Sequence, residues 1–269
     1  MKKKLSDYII MSDVDGTLLL PDQPVCRRNI EALERFTEKG GHFGIATGRS
    51  KELIAAFVKT LPINAPCVVY NGGAVYDFAA EKFIAEDFLP PESRAYVLRF
   101  REELPALPMM IITNGNYFDV TGIPFFSFSA EYRQQFGRAA IEELTTPWYK
   151  VLFAVAPEDA ERFWAFVNGN EFCGVRFVQT TKNLFEMLPV DANKAKALSH
   201  LVDLGLFARE NIVAVGDYFN DVEMLRYAGV SVTLSESPDE LKAIADLVVG
   251  TCANGAVADV VEYLENICL

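Results

Sequence analysis

Apolar and polar positions follow two different rhythms along this chain, and the change between them divides it. In the first part, short apolar runs bounded by turn residues alternate with stretches whose apolar residues recur at helical spacing. Tyr8-Ile9-Ile10-Met11 is such a run, and it carries Asp13 and Asp15 straight into Gly16. The pattern predicts the inner strand of a parallel sheet ending in charge. Ile30, Leu33 and Phe36 then mark a helix closed by Gly40-Gly41, His42 to Ala46 a second strand, and Leu53, Ile54, Phe57 and Val58 a second helix. Cys67 to Tyr70 reads as a third strand, with Asn71-Gly72-Gly73 turning out of it. Val75-Tyr76 and Phe83 to Ala85 form a hairpin pattern around Phe78-Ala79-Ala80-Glu81.

From about Leu89 the rhythm changes. A helix opened by Pro90-Pro91 leads to Met109 to Thr113, the turn Asn114-Gly115-Asn116, and Tyr117 to Val120, which together signal a hairpin. Trp148 to Ala156 reads as a strand, Phe163, Trp164 and Val167 mark a helix, and Val175 to Thr180 and Leu184 to Leu188 read as two more strands. Paired strands separated by helices make an α+β unit. The alternating rhythm then returns: a helix with Leu198, Leu201 and Val202, a strand over Asn211 to Val215, a helix ended by Gly229, and a strand over Val230 to Leu234. Ser237-Pro238-Asp239-Glu240 predicts a Ser N-cap with Pro at the first helical position. We therefore expect an α/β fold. Its core is a Rossmann-like doubly wound parallel sheet built from residues 1–86 and 190–269, with residues 87–189 inserted as a second domain.

Composition narrows the function classes. Hydrophobic residues make up 51% of the 269 positions, enough for a sizeable core. The formal net charge of −12 disfavours nucleic acid or an anionic membrane as partner, and no apolar run reaches membrane-spanning length. Asp7 and Asp13 interrupt the apolar stretch that a signal peptide would need after Lys2-Lys3-Lys4. The five cysteines are scattered without a C-x-x-C pair and read as reduced thiols of a cytoplasmic protein. His42 and His200, the two histidines, are assigned to structure.

Chemistry concentrates at predicted strand tips. On an extended strand Asp13 and Asp15 share a face about 6–7 Å apart. Two like charges so close call for a cation, and Mg²⁺ fits because it needs few protein carboxylates. Thr47-Gly48 at a strand tip before a helix makes an anion site from a hydroxyl, a close backbone approach and free N–H groups, although a Thr there also serves as a cap. Asn71 either lines the site or simply makes the turn. Lys194 and Lys196 follow Asp191-Ala192-Asn193, and the strand ending in Val215 runs into Gly216-Asp217-Tyr218-Phe219-Asn220-Asp221, a second acidic strand tip.

Asp13-Val14-Asp15-Gly16-Thr17 resembles the DxDGT signature of the haloacid dehalogenase superfamily of phosphotransferases. Thr47-Gly48-Arg49 resembles its second signature, Lys194 its third, with Ala195 in place of the usual glycine, and Gly216 to Asp221 its fourth, GDxxND. Asn71-Gly72 and the size and place of the insert are similar to the Cof-type branch (class IIB), whose insert is a C2B cap.

The resemblance implies that Asp13 is the nucleophile that forms an aspartyl-phosphate and that Asp15 is the general acid/base. Thr47 and Lys194 would hold the phosphoryl group, with Gly48, Arg49, Asn71 and Asn220 as further phosphate or substrate contacts. Mg²⁺ would sit on Asp217, a carboxylate oxygen of Asp13 and the backbone carbonyl of Asp15, while Asn220 and Asp221 hold its waters or orient Lys194. The implied function is a Mg-dependent phosphatase acting on small phosphorylated metabolites, sugar phosphates above all, as a monomer or small homo-oligomer. The alternatives are a phosphosugar mutase of the same fold and a non-catalytic phosphometabolite-binding regulator. Lys150, Arg133, Arg138 and Lys182 are candidate substrate contacts as basic residues of the insert.

Overall fold

A computed structural model describes residues 3–21, 23–126 and 136–268. The chain divides into two compact units, Met1–Glu86 with Asn193–Leu269, and Asp87–Ala192.

In the first unit β1 (Ile9–Ser12), β2 (His42–Ile45), β12 (Ile212–Val215), β13 (Val230–Leu234) and β14 (Leu247–Val249) form a parallel sheet in the order β14-β13-β12-β1-β2. All four residues of β1 are buried, as a strand with neighbours on both edges and both faces requires. Ile10 lies opposite Val213 on one side and Phe43 on the other. Chain order reverses between β12 and β1, so the carboxyl ends of these two neighbours flank the switch point of the sheet. Ligands of open α/β sheets collect there.

Helix α1 (Arg27–Glu38) buries Asn29, Ala32, Leu33 and Phe36. Burying Leu33 and Phe36 contributes about 1.5–3 kcal/mol each. Ile30, expected on that inner face, is only half-buried, and Asn29 is turned inward instead. The reason is polar: Asn29 Oδ1 accepts a hydrogen bond (2.9 Å) from the N–H of Ala258, in the first turn of helix α8 (Ala256–Cys268). A side chain of one helix thus shares, with the carbonyl of Gly255, an N–H in the first turn of another. Half-exposed ion pairs join the same two helices, with Arg28 on Asp259 at 2.6 Å and Arg35 and Lys39 on Glu265 at 3.1 and 2.7 Å.

The third predicted strand belongs elsewhere. β3 (Cys67–Val69) pairs antiparallel with β4 (Ala74–Asp77), and β4 with β5 (Lys82–Glu86), in a separate three-stranded sheet. An isolated parallel bridge from Ala46 to Val68 ties it to the end of β2. The Ser237 cap is a second correction. Helix α7 (Asp239–Lys242) starts after Pro238 without a side-chain cap, because Ser237 Oγ turns back to accept from the N–H of Leu234 and the hydroxyl of Thr233.

The second unit is a six-stranded sheet in the order β10-β11-β9-β6-β7-β8. It comprises β6 (Met109–Thr113), β7 (Asn116–Asp119), β8 (Gly137–Arg138), β9 (Lys150–Ala154), β10 (Val175–Thr181) and β11 (Leu184–Pro189). Its pairings are antiparallel except β7 with β8. Met109, Ile111, Val151, Phe153, Phe185 and Met187 bury one face against Val97 and Phe100 of helix α3 (Ser93–Glu103) and Phe163 of helix α4 (Ala160–Asn168).

Strand alternation puts Lys150 and Glu186 on the opposite face from that cluster, 2% exposed each, with Nζ 2.9 Å from Oε1. Lys150 is therefore a buried structural lysine and not the available substrate contact expected from its charge. Arg138 is exposed, 3.8 Å from Asp119, and Lys182 is exposed in the β10–β11 turn. Arg133 lies outside the described residues.

Candidate active site

The parallel sheet delivers two acids to neighbouring strand ends. β1 stops at Ser12, and the N–H of Asp13 continues the ladder by donating to Val215 O at 2.8 Å. Asp13 is 5% exposed. Asp217 follows two residues after the end of β12. One oxygen each from Asp13, Asp217 and Asp221 lies within 4.8 Å of the others. Lys194, the first residue of helix α5 (Lys194–Asp203), is 1% exposed and places Nζ 2.7 Å from Asp13 Oδ1 and 2.6 Å from Asp221 Oδ1. Asn193 caps that helix by accepting from the N–H of Lys196 at 2.8 Å, which sets the direction in which Lys194 leaves the backbone.

Each acid has a distinct environment. Burial pushes the Asp13 carboxyl well above its ordinary value; Lys194 opposes this, and Asp221 and Asp217 add to it. Burial, then Asp221, raises Asp217 to about 7, against the Thr17 hydroxyl and Lys194. Burial pulls Lys194 down, but Asp13 and Asp221 outweigh it and hold the ammonium charged. Three carboxylates share one ammonium, so the cluster keeps an excess of negative charge that a cation would relieve.

Donor chemistry also fits a hard divalent ion. Asp217 Oδ1 accepts from Thr17 at 2.6 Å and Asp13 Oδ1 accepts from Lys194, which leaves the second oxygen of each acid without a partner among the described residues. Asp221 is committed on both oxygens, Oδ1 to Lys194 and Oδ2 to the N–H groups of Asp217 and Tyr218 at 3.1 and 3.2 Å. It holds Lys194 and the turn in place.

Asp15 takes a different route. The strand ends before it, so the shared-face geometry expected for Asp13 and Asp15 does not form. Asp15 is exposed, and its carboxylate is gripped in a fork by Arg49, Nε at 2.9 Å and one terminal nitrogen at 2.6 Å. The side chain of Asp15 stands outside the acid cluster. Arg49, expected on phosphate, spends its guanidinium on Asp15.

Thr47 is fully buried, and its hydroxyl accepts from the N–H of Arg49 at 3.1 Å. It is not the cap of helix α2 (Lys51–Val58); Ser50 is, accepting from Leu53 N at 3.3 Å. The N–H of Asn71 donates to Thr47 O at 3.0 Å, and Asn220 Nδ2 donates to Asn71 Oδ1 at 3.1 Å, which joins the two turns. A Cβ on Gly48 would come within 3.0 Å of Asn71 Nδ2. Tyr70 and Asn71 both hold positive φ, 55° and 56°. For Tyr70 this costs roughly 1–2 kcal/mol.

Two contributors were not assigned from sequence. Thr17 orients Asp217, and Gly16, at φ +85°, sits where any Cβ would collide with the Asp217 carboxylate. Their presence in the DVDGT run was the only available signal, since their partner lies 200 residues away.

Comparison with known proteins places the chain in a family. The profile of the haloacid dehalogenase-like hydrolases matches residues 10–261. Pyridoxal phosphate phosphatase YbhA of Escherichia coli strain K12 is 26% identical over 267 residues, covering 94% of this chain and 97% of that one. HMP-PP phosphatase of Klebsiella pneumoniae strain 342 is 28% identical over 265 residues, covering 94% of each.

A haloacid dehalogenase-like hydrolase from Bacteroides thetaiotaomicron superposes with a TM-score of 0.80 at 22% identity, covering 96% of this chain and 99% of that one. The subclass IIB sugar phosphatase BT4131 does so with a TM-score of 0.80 at 18% identity, covering 97% and 99%. These two establish the fold. With the family profile spanning nearly the whole chain, the protein belongs to the haloacid dehalogenase-like hydrolases, as an enzyme of their Cof-type phosphatase branch.

Proposed function

We propose that the enzyme hydrolyses small phosphorylated metabolites through a phosphorylated Asp13. The observation that carries this reading is the state of Asp13. It is buried, one oxygen is held by Lys194, and the other has no partner among the described residues.

Phosphoryl transfer needs positioning and charge neutralisation more than covalent chemistry from its enzyme. The free oxygen of Asp13 attacks phosphorus as the bond to the leaving oxygen breaks. Lys194 neutralises the anionic cluster, and the Thr47 hydroxyl with the Gly48 N–H holds phosphoryl oxygens. Asp15, released from Arg49 and protonated from solvent, gives that proton to the departing oxygen. It then takes one from water, whose oxygen attacks the phosphorylated Asp13, frees phosphate and restores the carboxylate. Arg49 returns to Asp15 or engages substrate, and Asn71 with Asn220 fixes the wall of the site.

Mg²⁺ is the ion we assign to the free oxygen of Asp217, the backbone carbonyl of Asp15 and Oδ1 of Asp13, the oxygen that also faces Lys194, where it would supply positive charge for the phosphoryl oxygens. The inserted unit takes the cap role that its place in the chain, between Arg49 and Lys194, implies.

For substrate, we infer a small phosphate monoester. Sugar phosphates are what the resemblance to the Cof-type branch implies, and pyridoxal phosphate is the substrate named for one relative. A panel of such esters, assayed for phosphate release with and without Mg²⁺, tests the reading. Turnover that requires Mg²⁺ and vanishes in Asp13→Asn, with an unchanged melting curve, is expected. Turnover that survives Asp13→Asn refutes it. Movement of phosphate between two hydroxyls of one sugar, with little released, would instead indicate a mutase.

A further inference from the structure

The inserted unit contains a cavity of about 270 Å³ that the proposed chemistry does not use. Its floor is rigid. Phe163 and Val155, each 1% exposed, belong to the apolar cluster of this unit. Leu107, Ile123 and Phe126 form walls, and Phe126 is 47% exposed. Pro105, Pro108 and Pro124 also line it. Proline fixes φ, so these segments hold their shape without a ligand and little ordering is needed on binding.

Two opposite charges stand at its edge, Asp159 and Arg162, one turn apart where helix α4 begins. Neither side chain has a hydrogen-bond or ion-pair partner among the described residues, and they do not pair with each other. An apolar hollow with one unpaired carboxylate and one unpaired guanidinium at its rim is complementary to a small zwitterion with an apolar body. The volume lies just under the roughly 300–1,000 Å³ of sites for drug-sized ligands, which suits a molecule of about a dozen non-hydrogen atoms.

We propose that this cavity binds an α-amino acid with an apolar side chain. The carboxylate meets Arg162, the ammonium meets Asp159, and the side chain enters between Phe126 and Phe163. An aromatic side chain fits best, because rings packed at an edge or offset gain beyond their buried area.

The test is calorimetric titration of the full chain with L-phenylalanine, compared with 3-phenylpropanoate, which lacks the ammonium, and 2-phenylethylamine, which lacks the carboxylate. L-phenylalanine is expected to bind with a dissociation constant at or below about 1 mM, and each comparator about tenfold more weakly or worse. Arg162→Ala and Asp159→Asn, both at exposed positions, should each weaken L-phenylalanine about tenfold with an unchanged melting curve. Ile123→Trp, which fills the hollow, should abolish binding. Absence of saturable binding overturns the proposal. So do comparators that bind as well as the amino acid, or affinity that survives either charge variant. Phosphate release in the absence of amino acid should be the same in Arg162→Ala as in the parent, so this result stands or falls separately from the phosphatase reading.

Discussion

Lys194 and Lys150 are both lysines buried to within 2% of complete exclusion from solvent, both in short contact with carboxylate, yet their surroundings differ in kind. Lys150 meets Glu186 at 2.9 Å on the face of an antiparallel sheet, a cation held against an anion. Lys194 lies between Asp13 and Asp221, with Asp217 within reach of both, so the anions outnumber it. A matched buried pair repays its desolvation within the fold and serves conformation. An unmatched cluster stays costly until something positive arrives, which is the electrostatic condition of a site built to hold an ion and a phosphoryl group.

The comparison breaks most visibly in activity. Asp13→Asn should lower phosphate release by roughly 10⁴-fold or more, as loss of a nucleophile does, and Lys194→Met should do so by roughly 10³-fold. Lys150→Met should leave kcat within a few-fold of the parent at a temperature where it is folded. If Lys150→Met proves as inactive as Lys194→Met while folded, the distinction between the two lysines is wrong.

Stability supplies the next largest contrast. Lys150→Met takes the cation away from buried Glu186 and should cost about 3–5 kcal/mol in urea unfolding, whereas Lys150→Met with Glu186→Leu should return close to the parent. A double variant as unstable as the single one would show that more than the matched pair is at stake.

Ion binding sharpens the same contrast from the other side. Mg²⁺ at 100 times its dissociation constant should stabilise the protein by about 2.7 kcal/mol. Asp217→Asn should largely remove that response, and the Lys150 double variant should keep it. Chelator should abolish phosphate release, and Mg²⁺ should restore it.

The smallest effect concerns a carboxylate at the surface. The backbone N–H of Ser231, then its hydroxyl, lowers the pKa of Asp246. A carboxyl lowered in the folded state stabilises above its ordinary value, and that contribution is lost as pH falls through the lowered one. Asp246→Asn should therefore cost about 0.5 kcal/mol at pH 7, screening included. The deficit should shrink as the pH falls below the ordinary carboxyl value and vanish below the lowered one. A deficit independent of pH would mean that packing, and not charge, was removed.

Legibility in the sequence followed how local each cause was. The parallel core was readable because strands with two buried faces appear as unbroken apolar runs, as in Ile9 to Met11. β3 was misplaced in the parallel series because its antiparallel partner follows a tight turn whose positive-φ residues, Tyr70 and Asn71, include one that sequence rules do not expect there. The inward turn of Asn29 could not be read, since its partner Ala258 is 229 residues away. The signature acids were legible as residues and their expected roles through the family resemblance, but their surroundings were not. Asp13 and Asp15 look equivalent on paper, and one turns inward to Lys194 while the other turns outward to Arg49.

From its sequence alone this protein has its two rhythms, the acids at its strand tips and the family they signal, because those depend on spacing along the chain and on side-chain type. Only the tertiary structure decided which charges are matched and which are left in excess. That is settled by long-range contacts and by burial, which makes a carboxylate at 5% exposure a different chemical group from its neighbour two residues on.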